Sequence, residues 1–264
     1  MYKPDLLHDV SIYLATPVHS EVSIHYAQSV LEFQKECLEK NVNISVHMMK
    51  SSLVTQGRNL CVAGFLESNM THMLFVDSDI AFTTDSIWKM LEADKDVISV
   101  PYPLKHIKFD RLIAKIIAGD VTTAKEAHVN CNTYPLRLED EEDIKVEGDG
   151  IIEVTHAPTG CMLIKRNVFE QMIEAYPDTR ITQETIVDGK LQKKPYLYNL
   201  FDTYHDKETQ HFLGEDFAFC RLWRQLNGKC YCYIMDYITH VGEFQYTGRL
   251  WDELRPNSID STEE

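Results

Sequence analysis

Two hydrophobic periods take turns along the first hundred residues. Dense apolar runs at Val10–Pro17, Asn43–Met48, His72–Ile80 and Asp96–Tyr102 read as strands, the first stopped by its proline. Between them apolar residues recur at helical spacing, as Val22, Ala27, Val30, Leu31 and Leu38 within 21–39. A second set, Leu60, Val62, Ala63, Phe65 and Leu66 within 56–68, predicts a helix with those residues turned inward. Thr83-Thr84-Asp85-Ser86 supplies an N-cap region for a third helix ending near Ala93. Strand alternating with helix at these lengths predicts an α/β fold, a mostly parallel sheet with helices on both faces. Ligands of such sheets lie beyond the carboxyl ends of the strands, where Thr16, Asp77, Asp79 and Tyr102 fall.

From Leu104 to Gly150 the pattern loosens. Helices are expected at 109–118 and 122–127, followed by the acidic run 139–143, as an excursion over the sheet edge or the mouth of a site. Strands at 151–154 and 161–164 then flank the turn-rich Ala157-Pro158-Thr159-Gly160. A helix at 167–175, a polar connection at 177–210 with no readable period, a helix at 215–225 and a strand at 230–235 complete the chain. Without internal repeat or linker, residues 1–250 are expected to form one domain and 251–264 an acidic, flexible tail.

Composition narrows the class. The 264 residues are 44% hydrophobic and 25% charged, as in ordinary soluble domains with ample core. A net charge of −15, from 41 acidic against 26 basic residues, argues against broad nucleic-acid binding. No stretch approaches the ~20 apolar residues of a membrane span, and the N-terminus lacks a signal-peptide core, so a cytoplasmic location and no transmembrane segment are expected. The seven cysteines are scattered, and Cys230-x-Cys232 alternates with tyrosines as strand residues do, so they read as reduced core thiols.

Within the apolar run His72–Ile80, Asp77-Ser78-Asp79 ends the core strand with two carboxylates. Isolated carboxylates are costly to bury, which leaves an exposed strand end capping the next helix, or a bound divalent cation sharing oxygen ligands with phosphates. Gly57-Arg58-Asn59 is expected at a helix start, where Arg58 meets a diphosphate or is simply a surface arginine. Glu215 and Asp216 open a helix after Gly214; acids there suit the helix dipole, and one aimed into a cleft would serve as a general base. His240 is either structural or completes a metal shell, and Lys105 either adds charge near phosphates or lies on the surface.

In chain order, Phe75-Val76-Asp77-Ser78-Asp79, Pro158-Thr159-Gly160, Gly214-Glu215-Asp216 and His240-Val241-Gly242 resemble the GT-A (Rossmann-like) glycosyltransferases, in particular compact single-domain members of bacteria, phages and large DNA viruses. The resemblance runs from about Val10 to Gly248. It implies transfer of a sugar from a UDP- or GDP-sugar donor to a hydroxyl of a glycan or glycoconjugate acceptor, dependent on Mn²⁺ or Mg²⁺. By the same resemblance Asp79 holds the metal, Asp77 lies near the ribose or metal, and His240 is the late metal ligand. Thr16, Pro17, Arg58, Ser78, Tyr102 and Lys105 complete the donor side, Thr159 and Gly160 line the acceptor side, and Asp216, with Glu215 as alternate, is the base. Inversion is favoured over retention.

Two other readings compete. A sugar nucleotidylyltransferase would show a glycine-rich loop after the first strand, and Ala15-Thr16-Pro17-Val18-His19-Ser20 contains no glycine. A non-catalytic carbohydrate- or partner-binding module on the same fold would dispense with the acids, yet Asp77, Asp79 and Asp216 are all present.

Overall fold

A computed structural model of the chain describes residues 9–138, 142–187 and 189–243; Glu139 to Glu141 of the acidic run and the expected tail 251–264 lie outside the described residues. Strand β1 (Ser11–Val18) leads into α1 (Ile24–Glu39), β2 (Asn43–Lys50), α2 (Val54–Glu67) and β3 (His72–Val76). The short β4 (Ile80–Ala81), α3 (Thr84–Glu92) and β5 (Val97–Ser99) follow, then α4 (Phe109–Ala118), α5 (Ala124–Asn130), β6 (Arg137–Leu138) and β7 (Val146–Glu147). The second half consists of β8 (Ile151–His156), β9 (Cys161–Lys165), α6 (Arg166–Ala175), β10 (Thr185–Val187) and β11 (Lys190–Gln192). It ends with β12 (Tyr204–His205), β13 (Phe212–Leu213), α7 (Glu215–Gln225), β14 (Cys230–Tyr233) and β15 (Thr239–His240).

The central sheet has the order β2-β1-β3-β9-β5-β14-β8-β6, with β7 also on β8. The strands share one direction except β9 and β8, each of which meets its neighbours antiparallel. Because strand side chains alternate between faces, the two cores can be read off single strands. Tyr13, Ala15, Met73, Phe75, Met162 and Ile164 face α2, α6 and α7. Ile12, Leu14, Leu74, Val76, Cys161 and Leu163 face α1 and α3. Helices therefore cover both faces, as the sequence predicts. Each fully buried Phe or Leu contributes roughly 1.5–3 kcal/mol, and truncating Phe65 or Phe33 to Ala would cost about 3–5 kcal/mol.

Three local expectations change. The buried stripe of α1 runs through Tyr26, Val30, Phe33 and Cys37, so Val22, Leu31 and Leu38 point to solvent. The larger aromatic surfaces of Tyr26 and Phe33 set which face meets the sheet. Helix α2 begins at Val54, so Arg58 is its fifth residue, past the terminal turn where free backbone N–H groups would meet an anion. The connection 177–210 holds a 3₁₀ turn, the β10–β11 hairpin and β12, with a side chain from elsewhere fixing its backbone between them: Asn59 Oδ1 accepts from Leu200 N (3.1 Å) and Phe201 N (2.9 Å), while Nδ2 donates to Asn199 Oδ1 (2.9 Å). All seven cysteines are free and buried.

Candidate active site

The turn after β3 is held from three sides. Asp77 N donates to Gly160 O at 3.0 Å and Ile80 N to Asp77 O at 3.0 Å, while Ser23 N, just before α1, donates to Ser78 O at 2.8 Å. Strand β15 pairs antiparallel with β4, setting His240 opposite Ile80, and Val241 N donates to Asp79 O at 2.8 Å. Residues about 160 positions apart in sequence are thereby brought to one spot.

One half of the site is built on Asp79. Its Oδ2 lies 2.5 Å from Lys105 Nζ and 3.3 Å from His240 Nε2. His240 Nδ1 is 2.9 Å from the carbonyl of Pro103, an acceptor, so that nitrogen donates a proton there, and Nε2 faces the carboxylate. Burial alone would raise the Asp79 pKa, but the hydrogen bonds and charges of His240 and Lys105 outweigh it and bring it down to about 2. Two glycines make room. A Cβ on Gly160 would lie 2.3 Å from Tyr102 Cε1, and one on Gly242 would lie 2.7 Å from Lys105 Cδ. The Tyr102 ring meets the His240 ring edge-on at 5.0 Å.

The other half is built on Arg58, only 2% exposed. Its Nη2 lies 3.0 Å from Asp77 Oδ1, an ion-pair distance without hydrogen-bond alignment, and 3.2 Å from Oδ2; its Nε donates to Glu215 Oε1 at 3.1 Å. Burial would favour the neutral guanidine, but the two carboxylates prevail and hold Arg58 firmly protonated. Asp216, the next residue, has no such partner. Burial, then the neighbouring Glu215 charge, raises its pKa to about 6, against a bond from Phe217 N to Oδ1 at 2.8 Å. Consecutive acids at one helix start thus hold different roles, a salt-bridged anchor and a protonatable group. Burial and the charges of Asp77, Asp216 and Glu215 push the Tyr102 hydroxyl well above its ordinary range, so Tyr102 stands between the two halves.

The remaining expected residues are more enclosed. Thr16 is fully buried with its hydroxyl 2.5 Å from Tyr26 Oη, beside the half-buried Pro17. Thr159 is 1% exposed and Ser78 half-buried. Pro103 and Tyr26 escaped the sequence reading, since a carbonyl and a core hydroxyl leave no motif. So did His156 on β8, whose ring packs 4.8 Å from Phe217 and whose pKa burial lowers to about 4.

Asp79 and His240 offer a hard oxygen and a nitrogen whose second ring position is already fixed by a carbonyl, the arrangement of a ligated imidazole. Among the described residues no group of three or more His, Cys, Asp or Glu side chains is placed to hold a metal. Mg²⁺ and Mn²⁺ sites completed by substrate phosphates need only one or two protein ligands, so this pair fits such an ion.

A cleft of about 970 Å³ adjoins the Asp79 half. Lys105, His240 and Gly242 line it, as do Ile107, Tyr134 and Tyr237. Asp77, Asp79 and Asp216 are not among its lining residues. No helix among the described residues is long and apolar enough to cross a membrane.

No protein-family model and no curated protein matches the chain. Among solved structures, A197 from STIV is similar over 91% of this chain and 98% of its own, with 14% identity and a TM-score of 0.44. GalNAc-T7, crystallised with UDP, GalNAc and Mn²⁺, is similar over 90% of this chain but 45% of its own, with 10% identity and a TM-score of 0.49. A glycosyltransferase involved in glycosylation of the major capsid of PBCV-1 is similar over 64% and 66%, with 10% identity and a TM-score of 0.32. Likenesses this remote say nothing about chemistry, which rests on the side chains.

Proposed function

We propose that the chain is a divalent-metal-dependent glycosyltransferase of GT-A type, moving a sugar from a nucleoside-diphosphate sugar to a hydroxyl of a glycan or glycoconjugate, with residues 1–250 as its domain. The observation that carries the reading is the Asp79–His240 pair, a carboxylate held ionised with His240 Nε2 at 3.3 Å and that ring's other nitrogen fixed by the carbonyl of Pro103.

In this reading Asp79 and His240 hold Mn²⁺ or Mg²⁺, which supplies charge neutralisation for the departing diphosphate. Lys105, already at Asp79, adds a second positive charge on the same side. Asp77, anchored by Arg58 with about a quarter of its side chain exposed (24%), orients the nucleoside or the metal. Asp216 accepts the proton of the acceptor hydroxyl as its oxygen forms the new bond to the sugar and the bond to the diphosphate breaks, giving inversion. Glu215 is the poorer base because its carboxylate is occupied by Arg58. Ser78, Thr16, Pro17, Thr159 and Gly160 serve as framework for the turns that carry these groups.

Calorimetric titration of UDP, GDP and their sugars, with and without Mn²⁺, tests this on the wild type and Asp79→Ala. Micromolar binding that requires Mn²⁺ and disappears in the variant is the expected result. Absence of nucleotide binding under both conditions would leave a binding module without donor chemistry as the better description.

A further inference from the structure

Helix α4 leaves its apolar side without a partner. Phe109, Ile113, Ile116 and Ile117, spaced i, i+4, i+7 and i+8, form one stripe, and all four are at least half exposed, Ile117 by 81%. None of the helix's ten residues is buried. It is tethered to α5 from another side, where Lys115 Nζ donates to Asn130 Oδ1 at 2.8 Å. Isolated exposed apolar residues need no explanation, but a four-residue stripe on one helix does.

Charge indicates what covers it. The segment 104–118 carries Lys105, Lys108, Arg111 and Lys115 against Asp110 alone, in a chain whose net charge is −15. With Lys108 at its N-cap and Arg111 and Lys115 against Asp110, α4 is the helix among the described residues whose charge is net positive, in a chain that is acidic overall. A second copy of the chain meeting α4 stripe against stripe would set the flanking cations against one another, whereas an anionic bilayer takes up both the apolar stripe and the cations. A ten-residue helix is about 15 Å long, half the thickness of a hydrocarbon core, so it would lie in the interface and not span it.

We infer that α4 is an interfacial anchor that seats the protein on an anionic lipid surface through Phe109, Ile113, Ile116 and Ile117, with Lys108 and Arg111 meeting lipid headgroups. Phe109 also lines the cleft, as do the exposed apolar Leu104, Tyr134, Ile234 and Tyr237. An anchored α4 therefore brings the cleft, which His240 also lines, to the membrane surface. Seating on lipid does not depend on the glycosyltransferase reading. If that reading holds, the acceptor is presented at a membrane surface.

The test is cosedimentation of the full chain with vesicles of phosphatidylcholine alone and of phosphatidylcholine with phosphatidylglycerol, at low and high salt. Three proteins are compared: wild type, Ile113→Glu/Ile117→Glu and Lys108→Glu/Arg111→Glu. Binding of wild type to anionic vesicles is expected to weaken with salt, to fall roughly a hundredfold in the isoleucine variant, and to fall by roughly thirtyfold or more in the charge variant. All four positions are exposed, so thermal melts should stay close to wild type, and Mn²⁺-dependent nucleotide titration reads the donor site separately. No vesicle binding by wild type, equal binding to neutral vesicles, or equal binding by the variants would overturn the inference. So would a dimer in analytical ultracentrifugation that the isoleucine variant dissociates while vesicles are ignored.

Discussion

Glu215 and Asp216 are adjacent at the start of α7, yet Arg58 Nε reaches Glu215 Oε1 at 3.1 Å while Asp216 is left with a backbone N–H and a pKa raised to about 6. Asp216 is thereby matched to proton transfer near neutral pH, while the Glu215 carboxylate is held by Arg58. The activity profile should show an acid limb near pH 6, where Asp216 ionises, and not near 2, where Asp79 does. Asp216→Asn should lower kcat by about 10²–10⁴-fold and remove that limb while leaving Mn²⁺-dependent donor binding intact, as read by steady-state kinetics and calorimetry. If Glu215→Gln removes the limb and Asp216→Asn does not, the assignment is reversed.

The same raised pKa has a consequence for stability. Asp216 binds its proton more tightly in the folded chain than in the unfolded, so its stabilising contribution is full below the ordinary pKa of 3.8 and is lost as pH rises through about 6. Asp216→Asn, which cannot ionise, should therefore melt at or above the wild-type temperature at pH 8. Differential scanning calorimetry at pH 5 and pH 8 would show the gap in favour of the variant opening with pH. Asp79 has the opposite sign, its lowered pKa giving stability that is lost only as pH falls toward about 2.

Arg58 neutralises two carboxylates from the protein interior. Arg58→Met should destabilise the fold by about 3–5 kcal/mol, because Asp77 and Glu215 would be left without their cation. Arg58→Met/Glu215→Gln should recover part of that loss. Urea titration of the single and double variants measures both, and a single variant within ~1 kcal/mol of wild type would contradict the arrangement.

Gly160 and Gly242 give a graded comparison. At Gly160 an added methyl would meet the rigid Tyr102 ring, which packs on His240; at Gly242 it would meet the flexible stem of Lys105. Gly160→Ala should cost about 1–3 kcal/mol and weaken Mn²⁺-dependent nucleotide binding, with Gly242→Ala clearly milder in both. Equal effects in calorimetry would mean that Tyr102 does not position His240.

How much of this could be read beforehand depended on whether the cause was local. Helices α4 and α7 begin and end where the sequence places them, at 109–118 and 215–225, since helical periodicity is a local signal. The inward face of α2 was legible for the same reason, Leu60, Val62, Ala63, Phe65 and Leu66 all being buried. The helical spacing in α1 marks the helix but not its inward face: Val30 and Ala27 pack on the core while Leu31 and Leu38 are exposed, because packing favours the larger aromatic area of Tyr26 and Phe33. Arg58 looked like a surface residue because its two partners are 19 and 157 positions away. The 177–210 connection has no period to read, as its backbone answers to Asn59. In the candidate site the acids and His240 were visible as residue types in order, while Pro103, Tyr26 and the crowding at Gly160 exist only in three dimensions.

The two-residue ladder between β4 and β15 also bears on the order in which the molecule comes together. It joins positions about 160 apart, a contact whose chain-closure entropy must be met after the nearer pairings of β1, β2 and β3 have formed. Both hydrophobic cores are complete by Tyr233 apart from the flanking Ile238, so a growing chain has its framework before it has its imidazole. Assembly of the site is thus a terminal event, and a nascent chain stopped at Ile238 would fold around an Asp79 that has Lys105 beside it and no histidine to face.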